Sequence, residues 1–197
     1  MSNSTDRNHT ESQPYSDGYI AMRPSTLKEN VSDMSVAFTY ADRNQSHAAT
    51  CTTIQQAMIE AGFQVLSLGS HHLPYCLRQI HTDRAIRFLR HFPDYLMTDG
   101  KCGWLYDVKT RQNPAHVNHA VEIDSHETMM DIAFLGVPTF YVFDTLQAAW
   151  SMEVQFFRTF ERDETADTAG NRTAFGLIAP DASFLTTLHV FLERLHT

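Results

Sequence analysis

Two aspartates and one lysine stand at a spacing that can do chemistry. Asp94 is followed, after twelve intervening residues, by Asp107, and Lys109 comes two positions later. Carboxylate oxygens are the ligands that hard divalent cations such as Mg²⁺ and Mn²⁺ prefer, and these cations keep water molecules in their coordination shell. A lysine beside such a cation can orient or deprotonate a bound water, or stabilise charge that develops on a phosphate. The three residues therefore indicate a site suited to metal-assisted hydrolysis of a phosphodiester.

A β-hairpin is predicted to carry these residues. Residues 94–98 and 102–110 are rich in side chains that favour strands, and Asp99-Gly100 lies between the two runs. Asp-Gly is a strong signal for a two-residue type I′ turn, because that turn needs positive φ at both central residues. The pattern predicts two antiparallel strands joined by this tight turn.

In that hairpin Asp94 lies opposite Leu105 and diagonal to Asp107, with roughly 7–8 Å between the diagonal Cα atoms. Side chains alternate along a strand, so Asp94, Asp107 and Lys109 share one face. Two short acids at this distance can close around one cation. The alternative is a solvated sheet face with an ordinary ion pair, which contributes little to stability.

The motif resembles a known nuclease pattern. Pro93-Asp94, twelve residues, and then Asp107-Val108-Lys109 is similar to the signature of the PD-(D/E)XK nuclease superfamily, which includes restriction enzymes, Holliday-junction resolvases and recombination nucleases. The resemblance implies that Asp94 and Asp107 bind metal and that Lys109 is the catalytic lysine.

The resemblance extends to the order of the predicted elements over about residues 46–145. The elements are a helix over 46–61, a strand over 63–69, a helix over 83–90, the hairpin, a helix over 118–135 and a strand over 139–143. This order is similar to the α-β-β-β-α-β core of the superfamily. The implied fold is α/β and restriction-endonuclease-like, with a central mixed β-sheet flanked by helices.

Further acids are candidates for the same site. By the resemblance, Glu60 is the helix-borne acid of the first core helix, although it lies at the edge of the apolar stripe and also fits a solvent-facing charge. Three acids of the next helix either join the site or lie on a solvated face: Glu122, Asp124 and Glu127. His116 and His119 are spaced for a metal-binding turn, but no further ligands for zinc are found.

The charge distribution restricts how the chain can meet nucleic acid. The net charge of −8 argues against a protein that coats DNA passively, since such binding needs excess positive charge. Residues 71–120 nevertheless carry a net charge of +3, and residues 121–197 carry −8. The candidate nucleic-acid-binding residues all lie in the basic segment: Arg84, Arg87, Arg90, Lys101 and Arg111. A solvated charged face is the alternative for this group.

Composition and length indicate the domain organisation and the cellular location. We expect a disordered, polar N-terminal tail over residues 1–17 and one nuclease-like domain over 18–197. Its C-terminal part over 146–197 is expected to hold strands near 150–158 and 173–178 and a last amphipathic helix capped by Asp181. The first thirty residues show no apolar segment of a secretory signal, and the longest apolar run, residues 132–143, is shorter than the roughly 20 residues of a membrane helix. The sequence therefore predicts a cytoplasmic protein that is not associated with a membrane.

The sequence thus predicts a Mg²⁺- or Mn²⁺-dependent nuclease, an endonuclease acting on DNA. It is expected to work as a homodimer or as a subunit of a larger complex, with the acidic C-terminal third facing away from DNA or contacting a partner. One alternative is a catalytically inactive nuclease-fold subunit that binds nucleic acid or serves assembly. Another is a nucleotide-handling α/β protein, although neither GxxxxGK[ST] nor GxGxxG is present.

Overall fold

The computed structural model describes residues 40–68, 84–111, 116–163 and 172–196. The predicted tail over residues 1–17 lies outside them, and a single domain over 18–197 stays a prediction. Within the described residues there are four α-helices: α1 Tyr40–Glu60, α2 Arg84–Arg90, α3 Ile123–Phe134 and α4 Leu188–Leu195. The strands there are β1 Gln64–Ser67, β2 Tyr95–Thr98, β3 Gly103–Lys109, β4 His119–Glu122, β5 Thr139–Phe143, β6 Gln147–Trp150, β7 Arg158–Asp163, β8 Arg172–Ile178 and β9 Thr186–Thr187.

Six of these strands form a central mixed sheet in the order β1-β2-β3-β5-β6-β9. β3 and β5 are parallel, and every other neighbouring pair is antiparallel. Helix α3 lies between the two parallel strands in sequence, as such a crossover requires. The predicted class, a mixed α/β fold whose central sheet is flanked by helices, is confirmed. The predicted core order is present as α1-β1-β2-β3-α3-β5, the helix predicted over 83–90 is α2, and β4 was not predicted.

A second, antiparallel sheet has the order β4-β8-β7. It corrects one boundary, because the helix predicted over residues 118–135 begins at Ile123 instead. Residues 119–122 are strand β4 and pair with β8, His119 lying opposite Ile178. That pairing joins segments far apart in sequence, so the local helical periodicity did not reveal it.

The two faces of the central sheet bury different clusters. On one face, α1 and α4 pack on alternate residues of β3 and β5: Cys51, Ile54, Met58, Leu188, Phe191 and Leu192 cover Trp104, Tyr106, Val108, Phe140 and Val142. On the other face, the second cluster comprises Val121, Met129, Tyr141, Phe143, Ala149, Val154 and Ile178. Alternation along β3 thus directs Tyr106 and Val108 to the first cluster, and leaves Asp107 and Lys109 on the face that α3 covers.

The hairpin between β2 and β3 is wider than predicted. Thr98 pairs with Gly103, so the loop holds four residues and the predicted two-residue type I′ turn is wrong. Gly100 has a φ of 87°, but Asp99 is not among the described residues with positive φ. The Asp99 side chain instead accepts hydrogen bonds from the backbone N–H groups of Lys101 and Cys102, at 2.8 and 2.7 Å. An aspartate that caps its own loop stabilises the longer connection.

Two boundaries in the C-terminal part also differ from the predicted ones. The strand predicted near residues 150–158 is replaced by β6, a 3₁₀ turn over Ser151–Glu153 and a later start of β7. The last helix begins at Leu188 rather than after Asp181, because Thr186 and Thr187 first pair with β6. None of the described helices is long and apolar enough to cross a membrane.

Candidate active site

Asp94 and Asp107 meet at the start of β2 and the second half of β3. Tyr95 pairs with Tyr106, and continuing this register by one residue sets Asp94 opposite Asp107. The observed register differs from the predicted one by two residues, which preserves the face of every side chain. It replaces the predicted diagonal arrangement by direct opposition. A hydrogen bond joins the two carboxyl groups.

The electrostatics of this pair favour one shared proton. Burial, and then the charge of Asp107 and the hydrogen bond to it, raise the pKa of Asp94 to about 8. Asp107 is only 5% exposed. Two carboxylates this close cannot both ionise cheaply without a cation between them. At neutral pH Asp94 is therefore mainly protonated in the metal-free protein and donates to Asp107.

Lys109 is the counter-ion of Asp107. Its Nζ lies 2.6 Å from Asp107 Oδ2, and its side chain is 19% exposed. Burial by itself lowers the pKa of Lys109, but the carboxylates of Asp107, Glu122 and Asp94 together outweigh burial and raise the pKa above its usual value. The lysine is accordingly held as an ammonium ion beside the acidic pair.

Ser125 completes this buried group and was not among the predicted site residues. Its side chain lies in the first turn of α3 and is 3% exposed. The Ser125 hydroxyl donates to Asp107 Oδ2 at 3.3 Å and accepts from Lys109 Nζ at 3.4 Å. A lone serine within an amphipathic helix carries no spacing motif, so only the tertiary structure shows its partners.

Three ionisable groups lie around this centre. His91 Nδ1 is 3.7 Å from Glu122 Oε2, and His91 Nε2 is 3.9 Å from Asp124 Oδ2. Burial lowers the pKa of His91, an effect that the two nearby carboxylates oppose. The side chains of Glu122 and Asp124 are 39% and 45% exposed. Glu122 and Asp124 thus lie beside His91, and the charge of Glu122 also acts on Lys109 and Asp94, while Glu127 is exposed.

Helix α1 approaches the site through His47. His47 Nδ1 lies 3.2 Å from Thr110 Oγ1, the residue after Lys109, and His47 Nε2 lies 3.5 Å from Cys51 Sγ. Burial lowers the pKa of His47, and the charges of Asp107 and Lys109 act on it in opposite directions. Both ring nitrogens are engaged, so His47 attaches α1 to the end of β3.

Glu60 is not part of this group. It is exposed at the last residue of α1 and accepts a hydrogen bond from Gln56 at 3.0 Å. It lines a cavity of about 690 Å³ with Glu193 of α4 and with His196, which directly follows α4. Glu60 follows His47 by thirteen positions, about 20 Å along a helix axis. The structure does not bring Glu60 to the two aspartates, so the expected role of helix-borne acid is corrected.

The two aspartates fit a hard divalent cation. They supply oxygen donors, which hard cations prefer as ligands. The proton that they share lies between two acids that would otherwise repel each other, where a cation could replace it. In the part of the chain that the structure describes, no group of three or more His, Cys, Asp or Glu side chains is arranged to hold a metal ion. Mg²⁺ is often bound by one or two carboxylates, with water and substrate phosphate as the other ligands. The site matches that limited donor set.

The predicted nucleic-acid-binding residues differ in their surroundings. Arg111 Nε donates to both carboxylate oxygens of Asp144, at 3.2 and 3.0 Å, and Nη1 donates to the His116 carbonyl. This pairing occupies much of the guanidinium that was predicted to contact phosphate. Lys101 is exposed in the hairpin loop. Arg90 is half-buried in α2.

Two further predictions concern side chains in this region. The side chains of Arg84 and Arg87 lie outside the described residues. His119, spaced for a metal-binding turn with His116, is buried against Phe143 and lies 3.2 Å from Gln147 Oε1 through Nε2. It therefore belongs to the packing between β4 and β5, and zinc is not indicated.

No family model matches the chain, and no curated protein matches it. A solved structure, the Holliday junction resolvase Hjc from the archaeal hyperthermophile Archaeoglobus fulgidus, is similar over 74% of this chain and 98% of that chain. The sequence identity is 12% and the TM-score is 0.45.

Proposed function

We propose that the protein is a nuclease that hydrolyses DNA phosphodiester bonds with Mg²⁺ or Mn²⁺. The single observation that carries the proposal is the opposed pair Asp94 and Asp107 with Lys109 Nζ 2.6 Å from Asp107 Oδ2. A surface ion pair would leave these groups solvated, whereas here Asp107 is 5% exposed. Burying two acids and a lysine together costs free energy that a solely structural role does not explain.

Each residue has a distinct role in this proposal. Asp94 and Asp107 hold the cation, which when bound polarises the phosphate and supplies an activated water. Lys109 holds its ammonium beside Asp107, where it orients the attacking water or stabilises negative charge on the phosphate. Asp94 releases its proton when the cation binds, because ligands of hard cations must be deprotonated.

DNA is proposed as the substrate because the site residues belong to the basic part of the sequence. Residues 71–120 carry a net charge of +3 and contribute Asp94, Asp107 and Lys109 as well as the exposed Lys101. The acidic segment over 121–197 opposes unaided long-range attraction. We therefore propose that a homodimer or a larger complex supplies the remaining affinity, and that cleavage is endonucleolytic.

The proposal is tested with purified protein on linear, circular, single-stranded and branched DNA, with Mg²⁺, Mn²⁺ or excess chelator. We expect cleavage only with metal, and cleavage of the circular substrate identifies an endonuclease. The matched variants are Asp107→Asn, which removes a metal ligand, and Glu60→Gln, which changes an acid remote from the site. Activity that persists in Asp107→Asn would refute the proposal. Binding of DNA without cleavage of any substrate would favour the inactive nuclease-fold subunit.

A further inference from the structure

The buried face of α3 presents a hydroxyl where an apolar side chain is expected. Its buried positions are Ser125, Thr128, Met129 and Ile132. A polar group costs free energy on such a face unless it is hydrogen-bonded. Both hydroxyls are bonded, but to very different partners.

Thr128 makes the bond that is common inside helices. Its hydroxyl donates to the Asp124 carbonyl of the preceding turn at 3.0 Å. Ser125 instead reaches out of the helix to β3, where it contacts Asp107 at 3.3 Å and Lys109 at 3.4 Å. Ser125 therefore bonds to two residues of the candidate site, whereas the Thr128 bond lies within its own helix.

The chemistry of a hydroxyl suits both contacts at once. A serine oxygen donates one hydrogen bond and accepts up to two. It can give its proton to the Asp107 carboxylate while it accepts from the Lys109 ammonium. Asp107 Oδ2 thus receives Lys109 at 2.6 Å and Ser125 at 3.3 Å. Two donors to one oxygen restrict the rotation of the carboxyl group, which also meets Asp94.

We propose that Ser125 is a positioning residue, which orients Asp107 and Lys109 for metal binding and for cleavage. The inference rests on the proposed function and adds to it a residue outside the sequence motif. Partners that orient metal ligands typically contribute 10–100-fold to metal affinity or activity. We expect Ser125→Ala to weaken Mn²⁺ binding by about 10-fold and to lower kcat by about 10–100-fold. The KM for DNA stays unchanged, because Ser125 is buried and does not contact the substrate.

The test measures metal binding and cleavage separately on the full chain. Mn²⁺ binding is followed without DNA by electron paramagnetic resonance, which counts free Mn²⁺ ions. Cleavage is followed with saturating Mg²⁺ on the best DNA substrate of the wild type. The variants are Ser125→Ala, Ser125→Thr, which keeps the hydroxyl, and Thr128→Val, which removes a buried hydroxyl of the same helix. Thermal unfolding measures the stability of each variant.

We expect weak Mn²⁺ binding and a low kcat in Ser125→Ala. Ser125→Thr should recover at least part of both, and Thr128→Val should have wild-type values of both. If Ser125→Ala does not fold, Ser125→Cys keeps the volume with a weaker donor and must show the same losses. Wild-type metal affinity and kcat in Ser125→Ala would overturn the positioning role and leave the nuclease proposal standing. A wild-type protein that neither binds Mn²⁺ nor cleaves DNA would overturn both.

Discussion

The carboxyl groups of Asp94 and Asp107 face each other across neighbouring strands and share one hydrogen bond. A four-residue loop sets this register, whereas the predicted two-residue turn would have left the two acids diagonal. Lys109 balances one of the two potential negative charges. With both acids ionised, the three groups carry a net charge of −1, which a proton neutralises in the metal-free protein and which favours a divalent cation in the proposed enzyme.

The shared proton makes stability depend on pH. The pKa of Asp94 is raised from 3.8 to about 8 in the folded protein. Between these values the folded state binds more protons than the unfolded state, so stability falls as pH rises. The contribution is fully present below about pH 4 and is lost as pH passes through about 8. We expect metal-free Asp94→Asn to lose this decline, and to exceed the wild type at pH 9 by roughly 1–3 kcal/mol.

Urea unfolding of both proteins with chelator, from pH 5 to pH 9, provides the measurement. The difference between the two proteins isolates Asp94, because the histidines titrate in both. Glu60→Gln is the control and is expected to follow the wild-type curve. A difference between wild type and Asp94→Asn that does not change with pH would refute the shared proton.

The surroundings of Lys101 and Arg111 predict opposite effects on DNA binding and stability. Lys101 is exposed in the hairpin loop, so Lys101→Ala should weaken DNA binding and lower the slope of log K against log salt by about 0.9, with no change in Tm. Arg111 is paired with Asp144. We expect Arg111→Ala to leave that half-buried carboxylate without its main partner and to lower the free energy of unfolding by about 1–3 kcal/mol.

Fluorescence anisotropy at several salt concentrations and thermal unfolding distinguish the two effects. A loss of DNA affinity in Arg111→Ala at unchanged stability would instead return Arg111 to the DNA-contacting group.

The second sheet depends on a close contact at Gly176. A Cβ atom at this position would overlap the ring of Phe156, and Phe156 in turn contacts the His126 ring of α3 at a centroid distance of 4.9 Å. We expect Gly176→Ala to lower the free energy of unfolding by about 1–3 kcal/mol through overpacking. Gly103→Ala is the matched control, since a Cβ there makes only ordinary van der Waals contacts, with the Leu96 side chain at 3.5 Å and the Met97 carbonyl oxygen at 3.9 Å.

Urea unfolding measures these differences, and the effect of Gly103→Ala should be several-fold smaller. Gly176→Ala should lower the free energy of unfolding less in a Phe156→Ala background than in the wild type, because without the ring the added Cβ meets no overlap. Equal destabilisation by the two glycine variants would contradict the contact.

Local sequence patterns predicted the buried strand β5 and the shared face of the motif residues. Strand alternation depends only on whether positions are odd or even, so the two-residue error in register did not move Asp94, Asp107 or Lys109 to another face. The prediction that Glu60 lies at the site was wrong. Helical periodicity indicates which face of the helix a residue occupies, but not which end of the helix lies near the site.

Contacts between distant segments were not available from local patterns. Strand β4 exists because it pairs with β8, more than fifty residues later. Ser125 became a site residue only because this strand and the following helix place the first turn of α3 over Asp107. No spacing rule links a single serine to a strand that precedes it by 18 residues.

The central claim is that Lys109 acts in Mg²⁺-dependent cleavage of DNA. The most direct measurement compares the single-turnover cleavage rate at saturating Mg²⁺ and protein for the wild type, Lys109→Met, Lys109→Arg and Lys101→Ala, each checked for folding by circular dichroism. We expect losses of about 10²–10³-fold in both Lys109 variants, the range for removal of one group that stabilises developing charge, and a wild-type rate in Lys101→Ala. Equal rates in the wild type and folded Lys109 variants, or no metal-dependent cleavage by the wild type, would contradict it.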